Sequence, residues 1–160
     1  MANPLFSDSL RTYLDDLVPQ RHPELLRMEA YAKEHDFPII GPASGQCCYA
    51  LSRLVGARRV FELGSGYGYS TAWFARAVVE NGGGEVHHVV WDQDLSDRAR
   101  KHLATLGLDS VVRYHVSEAV ETLRGTLGQW DVIFMTGGAY FLREILRRAR
   151  DGDQARLQFW

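Results

Sequence analysis

The chain has 160 residues, 46% of them hydrophobic and 24% charged, with a formal net charge of -2. That length suits one domain with a real core and is cramped for two, and the mixed charges give no electrostatic case for nucleic acid or an anionic membrane, which leaves small molecules as the expected partners. No apolar run reaches membrane-spanning length and Met1-Ala2-Asn3-Pro4 lacks the regions of a secretion signal, so a cytoplasmic location is expected.

Residues 5–18 carry Leu10, Leu14 and Leu17 at helical spacing and stop at Pro19. A second helix is predicted over 24–35, with Pro23 in its first turn and Leu25, Met28 and Ala32 on one face. Residues 37–42 are bracketed by prolines and read as extended, and 43–55 reads as an apolar helix. That helix holds Cys47 and Cys48, the only cysteines. Adjacent cysteines form a poor disulfide, so they are read as reduced, buried small hydrophobes rather than a reactive or metal-binding pair.

Residues 59–63, Arg-Val-Phe-Glu-Leu, form a β-branched and aromatic run that reads as a buried strand, and Gly64, Gly66 and Gly68 then force a turn. Ser70 offers an N-cap for a helix carrying Ala72, Trp73, Ala75, Ala77 and Val78. After a glycine-rich loop at 81–84, the run 85–91 ends at Asp92. His87 and His88 lie inside it and point to opposite faces, so they cannot both face one metal. Ser96 is the expected cap of a helix with Leu95, Ala99, Leu103 and Leu106, ended by Gly107. A strand at 111–116 delivers Ser117-Glu118-Ala119 to a short helix at 119–123, and 129–135 is the fourth strand, with Asp131 near its start.

Beyond it, 139–150 reads as a helix with Leu142, Ile145, Leu146 and Ala149 on one face, its arginines solvated, and 155–160 as a short fifth strand. Strands alternating with helices at this rhythm give an open parallel sheet covered on both faces, with right-handed crossovers.

A strand, a glycine turn and a helix build a ligand site at the carboxyl end of a parallel strand, where backbone without Cβ atoms approaches the ligand closely. The spacing is not that of a P-loop, since no Gly-Lys-Ser/Thr follows. It also departs from the dinucleotide pattern Gly-x-Gly-x-x-Gly, because the third glycine comes one residue early, at Gly68. Asp92, at the end of the next strand, can accept hydrogen bonds from both hydroxyls of a ribose. The expected ligand therefore carries a ribose and needs no phosphate.

On these residues the chain resembles class I S-adenosylmethionine-dependent O-methyltransferases, the family that includes catechol and caffeoyl-CoA O-methyltransferases. Phe61-Glu62-Leu63-Gly64-Ser65-Gly66-Tyr67-Gly68-Tyr69-Ser70 is similar to that family's glycine motif, including its Gly-Tyr-Ser ending, and Pro38-Ile39-Ile40-Gly41-Pro42-Ala43-Ser44-Gly45-Gln46 resembles the segment that covers the cofactor. The likeness runs from about Leu14 to about Phe134.

The resemblance implies an α/β, Rossmann-like methyltransferase sheet, mostly parallel, in the order 3-2-1-4-5, with helices on both faces and the family's terminal antiparallel strands missing. It implies a single domain, 1–160, with N-terminal helices and cofactor cover over 1–57 and the core over 58–160. The cofactor is S-adenosylmethionine, released as S-adenosylhomocysteine, and the residues implied to hold it are Ile40, Glu62, Gly64, Ser65, Gly66, Gly68, Ser70, Asp92, Glu118 and Ala119. Ile40 reads equally as a core residue. Ser117-Glu118-Ala119 resembles the family's Gly-Asp-Ala, whose acid takes the adenine amino group and whose alanine lies beside the ring. The alternative for Glu118 is an acid favoured by the dipole in a first helical turn. The N-terminal helices supply substrate walls and dimer contacts in the family, or here simply pack.

The resemblance breaks after Phe134. Where the family has Ile-Asp-Gly-Asp-Lys, with a metal-binding Asp and a lysine assigned as base, this chain has Met135-Thr136-Gly137-Gly138-Ala139. A hard divalent cation wants several oxygen ligands and a threonine hydroxyl replaces a carboxylate poorly, so no metal is expected. The family's Asp-Asn pair after the fifth strand is likewise missing. The catalytic base is unassigned, His35 being the nearest guess. An exposed edge at 155–160 invites pairing, so a homodimer or higher homo-oligomer is expected. The resulting function is metal-independent O-methylation of a small-molecule acceptor. The alternative is a catalytically inactive cofactor-binding or oligomerising relic, and a dinucleotide-binding domain is disfavoured by the glycine spacing.

Overall fold

The computed structural model describes residues 7–136. Within them helices α1 (Asp8–Asp16), α2 (Pro23–Glu34) and α3 (Gly41–Leu54) precede the alternating part of the chain. That part runs β1 (Arg59–Leu63), α4 (Tyr69–Glu80), β2 (Glu85–Val90), α5 (Gln93–Thr105), a 3-10 turn at Asp109–Val111, β3 (Val112–Val116), α6 (Ala119–Gly125) and β4 (Val132–Met135). The strands form a parallel sheet in the order β3-β2-β1-β4, with Val60 opposite Val86 on one side and Val132 on the other. The helix expected at 139–150 and the fifth strand at 155–160 lie outside the described residues. Among those described, no helix is long and apolar enough to cross a membrane.

β1 is central, and its alternate side chains feed two cores. Phe61 and Leu63 pack with Val89, Ala119, Val120, Leu123 and Trp130 on the α6 face. Val60 packs with Val86, Met28 of α2, Leu103 of α5 and much of α4 on the other. The amino ends of the strands are pinned by Asp131, whose Oδ2 accepts from the backbone N–H of Arg58 and Arg59 at 2.8 and 2.9 Å. The Arg59 guanidinium then reaches Glu85 and the carbonyls of Leu127 and Gln129, and lies over the Trp130 ring. The carboxyl ends gather the glycine turn, Asp92, Ser117 and Thr136.

Several local expectations are corrected. α4 is capped by Gly68, in the left-handed region at φ 91° and ψ 16°, and not by Ser70, which is buried inside the first turn. α5 is capped by Asp92, whose Oδ1 accepts from the Leu95 N–H at 3.1 Å, while Ser96 is buried within the helix. In both cases an earlier residue that can take cap geometry starts the helix. α3 begins at Gly41, with Pro42 in its first turn where a missing N–H costs nothing. Cys47 is exposed, not buried, and Cys48 is half-buried with burial pushing its thiol up to about 12.

Gly68 also sets how closely α5 approaches. A Cβ there would lie 2.9 Å from Ala99 Cβ and 3.0 Å from Leu103 Cδ2. Gly68→Ala is expected to cost about 2–4 kcal/mol in urea unfolding, overpacking added to left-handed strain. Gly56 has φ 63° but open space around it, so Gly56→Ala should cost only the backbone strain, about 1 kcal/mol. Equal losses would show that packing against α5 is not what selects Gly68.

Candidate functional site

β1 ends in Leu63, and Gly64, Gly66 and Gly68 all have positive φ, at 93°, 53° and 91°. Only glycine adopts these angles without strain, and the chain reverses into α4 over them. The turn is held by β2 on one side, where the Ser65 N–H donates to the Val89 carbonyl and Ser65 Oγ accepts from the Val89 N–H, both at 3.0 Å. On the other side Thr136, just past β4, donates its hydroxyl to the Gly64 carbonyl at 2.6 Å.

Above the turn lies a cavity of about 330 Å³. Gly64, Ser65, Gly66 and Ser70 form one wall, residues 37–40 form another, and Tyr67, Tyr69 and Thr136 complete it. The extended segment comes so close that a Cβ on Gly66 would sit 3.2 Å from Phe37 Cε1. Phe37 is itself fixed edge-on against Tyr67, with ring centroids 4.9 Å apart, and the Tyr67 hydroxyl donates to the Met28 carbonyl. Tyr69 donates to Glu29 Oε1 at 2.8 Å.

Of the ten residues singled out from the sequence, Ile40, Gly64, Ser65, Gly66 and Ser70 line this cavity together. Gly68 turns against α5. Asp92, Glu118 and Ala119 stand at the neighbouring strand ends, outside the cavity wall. Asp92 is exposed, and Glu118 caps α6, its Oε2 accepting from the Glu121 N–H at 2.6 Å. Ala119 is buried in the α6 core. His35 is engaged elsewhere: its Nδ1 lies 3.0 Å from the Tyr31 carbonyl and its ring stacks on Tyr31. Phe37, Tyr67 and Tyr69 line the cavity without being among those ten, and Thr136, singled out only as the residue in place of the family's metal-binding acid, lines it too. For the two tyrosines, their places inside the glycine motif were the available signal.

Glu62 lies beneath the turn, 1% exposed. Thr71 donates to its Oε2 at 2.5 Å, and Oε1 has no partner. Burial pushes its pKa up from 4.5 to about 7, opposed by the hydroxyls of Ser70, Thr71 and Ser65. Behind Thr71 stands His88, fully buried, with Nδ1 3.1 Å from the same hydroxyl. Burial takes its pKa down to about 3, so it is neutral. Since Thr71 spends its proton on Glu62, its oxygen accepts from His88 Nδ1–H, a tautomer assigned from the network. His87 points to the other face, with Nδ1 3.0 Å from His115 Nε2.

For a ligand with a cationic end, this arrangement supplies a partly ionised buried carboxylate, serine hydroxyls and a turn with no Cβ at Gly64, Gly66 and Gly68, under an aromatic and aliphatic cover. The residues fit such a group.

A family model described as a methyltransferase domain matches residues 61–152. A catechol O-methyltransferase from Niastella koreensis is 30% identical over 141 residues, which are 84% of this chain and 62% of that protein, so the chain spans under two thirds of that relative. The crystal structure of a methyltransferase from Geobacter sulfurreducens matches at 30% identity and a TM-score of 0.78, over 90% of this chain and 76% of that one. The O-methyltransferase TomG from Streptomyces achromogenes, involved in tomaymycin synthesis and solved in complex with SAM, matches at 25% identity and a TM-score of 0.79, over 94% and 70%.

The raised pKa of Glu62 makes a signed stability prediction. The native state holds this proton more tightly than the unfolded chain, so the contribution is full below about pH 4.5 and is lost as the pH rises to about 7. In denaturant titrations across that window, the native protein should lose up to about 3 kcal/mol that Glu62→Gln, neutral throughout, retains. Parallel pH profiles for the two proteins would rule the raised pKa out.

Proposed function

The chain belongs to the methyltransferase domain family, with O-methyltransferases among its relatives, and from this premise we propose that it binds S-adenosylmethionine and methylates an oxygen of a small-molecule acceptor without a divalent metal. The observation that carries the reading is the cavity over Gly64–Gly66, with a buried, half-satisfied Glu62 below it.

In this reading the bound cofactor supplies an electrophilic methyl carbon on a sulfonium. The turn from Gly64 to Gly66 and the Ser70 hydroxyl take its amino-acid end, Asp92 takes the ribose hydroxyls, and Glu118 and Ala119 meet the adenine. Glu62 adds negative charge beneath the ligand's positive end, where a low dielectric strengthens the attraction. Ile40, Phe37 and the rest of the 37–40 segment keep water from the cavity. Methyl transfer depends chiefly on alignment of nucleophile, carbon and leaving group, so holding the two partners in place accounts for much of the rate. Thr136 supports metal independence: it stands where the family has its metal-binding acid, and its hydroxyl is committed to the Gly64 carbonyl. No residue is assigned as base, which suits an acceptor whose hydroxyl is already acidic.

A second reading is a cofactor-binding relic without turnover. Thr136 and Ala139, in place of the family's acid and lysine, favour it.

Calorimetric titration with S-adenosylmethionine and S-adenosylhomocysteine tests both. Micromolar binding is expected, unchanged by chelator. Asp92→Asn, which keeps a cap for α5, should weaken it about tenfold, ~1.4 kcal/mol. No binding of either ligand overturns the proposal. Binding without methylation of any of a panel of acidic phenols and carboxylic acids favours the relic.

A further inference from the structure

A second cavity, of about 340 Å³, opens where the start of α2, the middle of α4 and the loop after α5 meet. It shares no lining residue with the cavity over the glycine turn. Its floor is apolar: Leu25, Ala72 and Trp73 are buried, and Leu106 and Leu108 are packed against the same core. Its polar lining consists of Arg21, Arg76, His22, Gln20 and Gln46, each of which has at least one N–H to donate, and no carboxylate lines it.

Both lining arginines are paired with carboxylates that stand outside the lining. Arg21 pairs with Glu29, which already accepts from the Tyr69 hydroxyl. Arg76 pairs with Glu80, which is shared with Arg53 and Tyr49. Two carboxylates thus serve three guanidinium groups, each with N–H donors to spare. Glu24, the acid nearest in sequence, is turned toward Arg27 and His102. The His22 ring accepts from the Glu24 N–H through Nδ1, which leaves Nε2 to donate. The amino end of α2, a helix of 12 residues, adds its partial positive charge at the same rim.

We propose that this cavity is a binding site for a small organic anion, a carboxylate on a flat apolar body. The carboxylate would be held by the Arg21 and Arg76 guanidiniums with the glutamine amides, and the body would lie on Leu25, Leu106 and Leu108. A volume near the lower end of the ordinary small-molecule range suits a single ring or a short chain. The site does not depend on the methyl-transfer reading.

Benzoate is the probe, with inorganic phosphate at matched ionic strength as the charge-only comparison. Saturable binding of benzoate, read by calorimetry and by a rise in melting temperature, is expected, with phosphate producing neither. Arg76→Gln, at a half-exposed position, and Gln46→Glu, which places an acid in the wall, should each weaken benzoate by about fivefold or more while circular dichroism stays native. No saturable benzoate binding overturns the proposal, as does equal binding of phosphate or affinity unchanged in both variants. Concentration-dependent self-association that Arg76→Gln abolishes, with no response to benzoate, overturns it in favour of a subunit contact.

Discussion

The junction between β1 and α4 constrains everything around it. Five residues, Gly64 to Gly68, are gripped from β2 through the reciprocal bonds of Ser65 and Val89, and from the end of β4 through the Thr136 hydroxyl. They are covered by Phe37 and approached from behind by Ala99 and Leu103 of α5. The close approaches of Thr136, Phe37 and α5 need the turn to be narrow and to lack a Cβ at Gly64, Gly66 and Gly68. The same narrowness leaves backbone exposed to a ligand, so the packing demand and the binding demand select the same glycines. Gly45 repeats the theme one layer out: a Cβ there would lie 2.3 Å from Trp73 Nε1, so α3 can lie close along α4 only as glycine.

The second organising feature is electrostatic. Glu62, Thr71 and His88 form a buried polar chain across β1, α4 and β2 that an apolar core would not need. Burial disfavours charge at both ends, raising the acid and lowering the imidazole, so the chain can rest neutral. An orphaned acceptor under a ligand cavity is costly to maintain. In the methyltransferase reading that cost is offset when a cationic ligand sits above it. The His87 and His115 pair, on the opposite face beside Trp130, shows the structural use of the same residue type: a packed, hydrogen-bonded pair far from the turn.

The place where the chain departs from its family bears on both features. An aspartate at position 136 could not donate to the Gly64 carbonyl, whereas threonine can. The substitution that argues against the usual metal therefore also changes how the turn is supported. The family match runs through this residue, over 61–152, so the departure lies in the side chains at 136 and 139.

By itself the sequence determined the alternation of elements, the bounds of β1 at 59–63 and the glycine turn. Those signals are local: side-chain periodicity and the backbone freedom of glycine act within a few residues. Cap residues were less legible. Ser70 and Ser96 are good caps by type, but Gly68 and Asp92 come earlier and start their helices, Gly68 in the left-handed region against α5 and Asp92 by its own bond to the Leu95 N–H. Only the tertiary structure decided that Gly68 serves packing against α5, whereas Glu118 on the Glu121 N–H and His35 on Tyr31 are contacts three and four residues apart in the chain. The tertiary structure alone brought Phe37 over Gly66, Thr136 onto the Gly64 carbonyl, and Arg21 and Arg76 around one cavity. Those pairs are far apart in the chain, and no local rule links residues that meet only when the sheet closes.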